Sequence, residues 1–298
     1  MKIARVFFSG EELKKMTTLL NKLCLATVGA VAGAALWFRL PYSPLKKTFV
    51  DDVALAKARQ PEMTGAFTRQ DLENLPELLQ RYLIHCGYLD MPKMRWMTMR
   101  YEDVDFLQSV DGPALTIDYT QLNIAAEPAR LALVESSLYG IPFQGYDYYQ
   151  DGVGGMKGVI GKIVTLFDQR GAEMDRSALV TYLAEVLFLP SALLNNDIHF
   201  AEVGAGQLRA TITAFGQTVS GVFTFNDKAE MIRFTTNDRS LSNDDGSMTK
   251  IPWTATCGEY QHAENGCLQP TTFKATWQLP DGDFTYFDGK IKAITYDE

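Results

Sequence analysis

The 298-residue chain is 46% hydrophobic and 21% charged, enough apolar material for one large domain or two small ones with a proper core. Its 28 basic and 36 acidic residues leave a formal charge of −8 with no dense Lys/Arg run, which argues against a phosphate-neutralising nucleic-acid surface. Four cysteines, Cys24, Cys86, Cys257 and Cys267, are too few for a disulfide scaffold.

The first predicted element is apolar. Leu23 to Phe38 reads LCLATVGAVAGAALWF without a charge. That is about 16 residues, or roughly 24 Å as a helix, and Leu19 and Leu20 lengthen it if Lys22 snorkels. Lys14, Lys15 and Lys22 precede it as in a positive n-region, and Met16 is a candidate start. Three readings stay open: an uncleaved anchor with Trp37 and Arg39 at the far interface, a signal peptide cut near Ala32-Gly33-Ala34, and a buried core helix. The anchor is preferred, because bulky Leu36-Trp37-Phe38 is unusual after a cleavage site and the Ala/Gly-rich terminal position disfavours a core helix. Basic residues on the two flanks nearly balance, so the positive-inside rule leaves the orientation open.

From this follow an N-terminal membrane segment over 1–40, a linker over 41–70 and a β-rich globular domain over 71–298. The linker carries Pro41, Pro44, Lys46, Lys47 and Pro61, with a short helical stretch at Val53–Lys57. Asp71 to Leu89 has Leu75, Leu78, Leu79, Tyr82 and Leu83 at helical spacing, with Pro76 suited to the first turn and Gly87 to the stop. Period-two strands are predicted at 94–101, 115–125, 130–138, 143–149 and 156–167. A helix over Asp175–Leu189 interrupts, capped by Asp175 and ended by Pro190. Strands resume at 198–203, 208–215, 218–225, 231–236, 253–261, 271–279 and 284–294, with hairpin turns at Phe225–Lys228 and Pro280–Asp283. The expected fold is α+β: a strongly curved antiparallel sheet, an open half-barrel, with one or two helices on its concave face, plus the N-terminal transmembrane helix.

The run DYYQDGVGGMKGVIGKIVTLFDQRGAEMD, then LVTYLAEVLFLPSALL, then W…PDGDFTYFDGKI resembles an uncharacterised bacterial domain-of-unknown-function family with an N-terminal membrane segment. LPELLQRYLIHCG is similar to that family's first helix, and the resemblance covers most of Leu75 to Tyr296. It implies no catalytic residues. More remotely, the strand–helix order resembles the LolA-type lipoprotein-carrier fold, an open barrel around an apolar cavity, which is an analogy of fold and not of function.

Candidate chemistry is sparse. Gly155–Lys162 misses the phosphate-loop spacing and reads as bent strand. Ser43-x-x-Lys46 and Ser247-x-x-Lys250 match a serine–lysine pattern at chance frequency. Cys257 and Cys267 suit a disulfide across a hairpin. Free thiols, or a metal held with His262 and a fourth ligand from Cys86 or His85, are the alternatives, and neither a metal nor a cofactor is expected. Glu185, in the middle of an apolar helix, would need a partner if turned inward; Arg81, Arg170 and Arg176 are candidates. Asp147 and Asp151 flank Tyr149 on one strand face, so Glu185, Asp147 and Asp151 are weak catalytic candidates, while Tyr149, Tyr182 and Glu185 are candidate ligand contacts. The pattern fits a membrane-anchored domain outside the cytoplasm that holds an apolar or amphipathic, lipid-like ligand. A hydrolase using the carboxylates and a non-catalytic membrane-associated interaction protein are the other readings.

Overall fold

A computed structural model describes residues 10–297 except 111, 113, 196, 244 and 245, so the first nine residues of the expected membrane segment lie outside the described residues. The chain separates into two compact units, Met1–Ser43 and Pro44–Glu298. In the first, α1 (Gly10–Arg39) is one uninterrupted helix of 30 residues, about 45 Å long. Leu19, Leu23, Leu25, Val28, Val31 and Leu36 are all exposed along it. Among the described helices it is the one long and apolar enough to cross a membrane, by length and composition.

The second unit opens with α2 (Pro44–Ala58), where the sequence reads as a tether with a short helical stretch. Leu45, Phe49, Val53 and Ala56 recur at helical spacing and form its packed stripe, and Lys46, Lys47, Asp51 and Asp52 between them give the segment its linker-like composition. Then come α3 (Arg69–Leu72) and α4 (Glu77–His85), the latter entered by Pro76 and stopped at Gly87, whose φ of 79° favours glycine.

Six antiparallel strands follow: β1 (Trp96–Leu107), β2 (Ala114–Ile124), β3 (Ala129–Leu138), β4 (Ile141–Gln150), β5 (Val153–Ile160) and β6 (Val164–Arg170). The single strand expected over 156–167 is thus two, folded back at Gly161 (φ 61°) and Lys162 (φ 70°). Two consecutive positive φ values make a tight hairpin turn, a conformation that only the glycine of this pair announces. Next is α5 (Ala172–Glu185), which begins after Gly171 and not at Asp175; the Asp175 carboxylate instead accepts from the Gly154 amide at 2.7 Å. Two 3-10 turns, Val186–Phe188 and Pro190–Leu194, complete the segment.

The remaining strands are β7 (Ile198–Gly204), β8 (Gln207–Ala214), β9 (Gln217–Phe225), β10 (Met231–Thr236), β11 (Ser240–Ser242), β12 (Met248–Lys250), β13 (Trp253–Gly258), β14 (Gln261–His262), β15 (Leu268–Gln269), β16 (Thr272–Leu279) and β17 (Gly282–Tyr296). The expected turn after Phe225 is held by Asn226, whose side-chain oxygen accepts from the Lys228 and Glu230 amides. Thirteen strands form one sheet in the order β6-β5-β4-β3-β2-β1-β17-β16-β13-β10-β9-β8-β7, while β11–β12 and β14–β15 are separate ribbons.

The sheet is strongly curved and unclosed. Helix α5 leaves edge strand β6, delivers the chain to the opposite edge β7, and packs against both β5 and β9. One helix can touch strands from both halves only if the sheet curls around it. The ends approach closely enough for Tyr149 of β4 to meet Phe215 of the β8–β9 turn, ring centroids 6.3 Å apart. Leu179, Leu183 and Leu187 are fully buried in this concave core, and Leu79, Tyr82 and Leu83 of α4 join it. The Tyr82 hydroxyl reaches the Leu187 carbonyl at 3.0 Å. Helix α2 lies on the other face, over Leu122, Ile124, Leu131, Leu133 and Tyr146.

The expected Cys257–Cys267 disulfide is not formed; both are buried free thiols, as is Cys86. The register explains it. Cys257 of β13 pairs with Phe273 of β16, so residues 259–271 are an excursion and not a tight hairpin. Its ribbon turns toward α4, where the Leu268 amide bonds the Cys86 carbonyl at 2.9 Å. Cys257 donates to the Met231 carbonyl at 2.9 Å, whereas Cys267 sits 2.9 Å from the Met91 sulfur.

Candidate functional site

Between α5 and the concave face lies a cavity of about 430 Å³. Its wall is largely apolar. Tyr101 forms an aromatic layer with Tyr119, Phe273 and Phe287, at centroid distances of 5.7, 6.3 and 5.3 Å. Val134, Phe143, Met156 and Phe167 of β3–β6 face it from the other side. The wall reaches the surface at Gln108 beyond β1 and at Asn243 and Met248 of the β11–β12 ribbon. A space of this size and lining falls in the range of small-molecule sites, which are mostly apolar with a few placed polar groups.

One such polar group is a buried network centred on Arg130. Period two puts Tyr119, Gln121 and Asn123 of β2 on the concave face, and strand pairing sets Arg130 of β3 opposite Asn123. Glu185, the last residue of α5, projects onto them. Its Oε2 accepts from Gln121 Nε2 at 2.6 Å, Asn123 Nδ2 at 3.0 Å and Arg130 Nε at 3.0 Å. Arg130 Nη1 donates to Asp147 Oδ2 at 2.7 Å, and Nη2 donates to the Tyr119 hydroxyl and, at 3.3 Å, to Gln121 Oε1. Burial opposes the Arg130 cation, but Glu185, Tyr119 and Asp147 outweigh it and hold its pKa above the ordinary arginine value. Burial pushes the Tyr119 and Tyr101 phenols up from the usual tyrosine range.

Glu185 and Asp147 are therefore brought together as the sequence suggests, but through Arg130, which pairs with one oxygen of each carboxylate. The expected partners lie elsewhere: Arg170 pairs with Asp168, Arg176 with Asp238, and Arg81 is exposed. Asp151 is outside, 3.4 Å from Arg59. Tyr149 and Tyr182 are buried in the core and not on the cavity wall; Tyr182 bonds the Ile124 carbonyl at 2.8 Å. Sequence reasoning missed Arg130, Gln121 and Asn123. The alternation Tyr119-x-Gln121-x-Asn123 facing an arginine across a four-residue turn is the signal that would have found them.

A second polar group is Arg239. Its guanidinium carbon stands 4.4 Å from the Trp253 ring centroid and 5.3 Å from that of Trp277. Trp277 stacks on Tyr286 at 6.1 Å, and Trp253 Nε1 donates to the Tyr286 hydroxyl at 3.2 Å. All four residues line the cavity.

The glycine run forms no phosphate loop. Gly154 to Gly158 lie in β5, where Tyr148 and Phe167 rings press against Gly155 and Gly158 too closely for a side chain. Among the described residues no group of three or more His, Cys, Asp or Glu side chains is placed to hold a metal ion.

The model of a family described as "Family of unknown function (DUF6544)" matches residues 65–289. No curated protein matches the chain. Among solved structures, a domain from Vibrio parahaemolyticus named for outer membrane lipoprotein sorting is similar at 11% identity and TM-score 0.41, over 74% of this chain and 91% of that one. A DUF1329 family protein from Desulfovibrio piger is similar at 10% identity and TM-score 0.39, over 78% of this chain and 94% of that one.

Proposed function

The chain belongs to the family of unknown function DUF6544, and from that premise we propose that it is a membrane-anchored envelope protein whose folded unit holds one apolar or amphipathic, lipid-like molecule in the concave cavity. The observation that carries this reading is the cavity itself: about 430 Å³, walled mostly by aromatic and aliphatic side chains. A surface-reaching cleft of this size and apolar lining is the kind of space in which proteins hold small molecules.

Two features support the membrane part. Helix α1 is long and apolar enough for an anchor. In the folded unit, the β3–β4 and β5–β6 turns expose Tyr139 (96%), Ile141, Ile163 (70%) and Val164 side by side, with the Gly161 amide bonded to the Pro142 carbonyl. Helix α2 begins at that end of the sheet, where Lys46 pairs with Glu135 at 2.8 Å. Apolar side chains clustered at turn tips suit contact with a lipid interface.

The test is extraction of the full-length protein in mild detergent, followed by native mass spectrometry and competition with a fluorescent acyl probe. The expected result is a stoichiometric amphiphile and saturable probe binding that Ala275→Leu, which fills part of the wall, weakens. A protein that carries no small molecule and binds no acyl probe would overturn the proposal.

A further inference from the structure

We infer that Arg239 is the anion-binding point of the cavity, and that the occupant is an acidic amphiphile with its carboxylate or phosphate at Arg239 and its chain along the aromatic wall. This inference rests on the cavity reading above and adds the headgroup chemistry.

The argument begins with charge. Arg130, the other arginine on the wall, is matched by Glu185 and Asp147. Arg239 has no carboxylate within 4.0 Å among the described residues. The adjacent Asp238 is already taken by Arg176 at 2.8 Å, by Lys250 at 3.6 Å and by the Ser220 amide at 2.9 Å. Among the described residues, Arg239 Nε and Nη1 are withdrawn from solvent without a hydrogen-bond partner. A buried guanidinium donor left unmade is costly, and proteins rarely leave one without reason.

The indoles do not remove that cost. Their π-faces attract the cation, but a π-face supplies no lone pair to an N–H. Stacking on Trp253 and Trp277 also fixes the plane of the guanidinium, so that its edge is what remains for an acceptor. Nε and Nη1 lie on different edges and each pairs with Nη2; either pair is the fork that a carboxylate or a phosphate monoester accepts in bidentate fashion. The rest of the wall, Phe273, Phe287 and Phe143 among it, suits a hydrocarbon chain and offers no second cation free of a carboxylate. The pairing of one unmatched cation with an apolar volume thus selects an anionic head on an apolar tail.

The experiment is displacement of a fluorescent acyl probe from the full-length protein in detergent by four competitors of equal chain length: a fatty acid, an alkyl phosphate, the alcohol and the monoacylglycerol. Wild type is expected to bind the acid or the phosphate about tenfold or more tightly than the two neutral chains. The better of the two acids identifies the source of the headgroup. Arg239→Gln is expected to erase that preference while leaving the neutral chains unchanged, and Arg239→Lys to retain part of it. Equal binding of charged and neutral chains by wild type overturns the inference and leaves the cavity reading standing. Failure of all four to displace a bound probe overturns the inference, and a protein that binds no probe and carries no small molecule overturns both. Because the wild-type preference is decisive alone, the outcome does not depend on how well the variants fold.

Discussion

Arg130 Nε lies 3.0 Å from Glu185 Oε2, with both side chains about 5% or less exposed, so the pair ties helix α5 to strand β3 inside the curved sheet. Removing one partner strands the other without a counter-charge. Arg130→Met is expected to cost about 3–5 kcal/mol in urea denaturation, and the double variant Arg130→Met/Glu185→Leu much less, since a matched apolar pair avoids desolvating two ions. A single Arg130→Met variant as stable as wild type would show that the network is not holding the helix.

The three thiols of the folded unit should be silent. Burial pushes Cys257 up to about 12 and Cys267 up to about 11, and raises Cys86 still further. Since the thiolate is the reactive form, iodoacetamide at pH 8 is expected to leave all three unmodified until denaturant is added. The folded-state values lie above those of the unfolded chain, so their contribution to stability is complete below about pH 8.5 and is lost as pH rises through 11 to 12. Gel mobility with and without reductant should be identical.

Asp71 gives the fold an acid-labile contribution that survives to low pH. Its carboxylate takes Lys93 Nζ at 2.7 Å and the Thr68 amide at 2.8 Å in the capping box of α3. The Lys93 bond, then the Thr68 amide, lower its pKa from the ordinary 3.8 to about 2. A depressed carboxylate stabilises above the unfolded value and loses that contribution as pH falls through the folded one. Asp71→Asn is therefore expected to cost about 1 kcal/mol at pH 6, in line with other lost caps, with the cost shrinking below about pH 4 and vanishing only below about pH 2. Thermal melts across that window measure the difference.

Gly221 of β9 offers a packing test. A Cβ there would run into the Phe234 ring, which is fully buried and tilted by 56° against Phe223 at a centroid distance of 4.8 Å. Gly221→Ala should cost about 1–3 kcal/mol, and Phe234→Leu in the same chain should return part of it. An unchanged unfolding midpoint for Gly221→Ala would show that the Phe234 ring moves aside freely.

The curved antiparallel sheet and the buried α5 were legible because alternation and helical spacing persist over many residues. Where the reading failed, the information was not periodic. Helix α2 was obscured by Lys46, Lys47, Asp51 and Asp52, because charge on the outward side masks a narrow apolar stripe. The turn at Gly161–Lys162 depends on a positive φ at lysine, which no residue type foretells. Glu185 was recognisable as an oddity, but its partner lies 55 positions away, and pairing across that distance follows from strand register rather than local sequence. The cysteine pairing failed for the same reason, since closeness in sequence says little once residues 259–271 leave the sheet.

Strand β1 pairs with β17, joining Met97 to Tyr296 across roughly two hundred intervening residues. During synthesis, the first hairpins are complete long before the strand that must lie beside β1 has been made. Until then β1 presents an open edge rich in apolar residues, which is a template for misassociation. A seam of such sequence separation is expected to close late, since loop-closure entropy must be met before its contacts form.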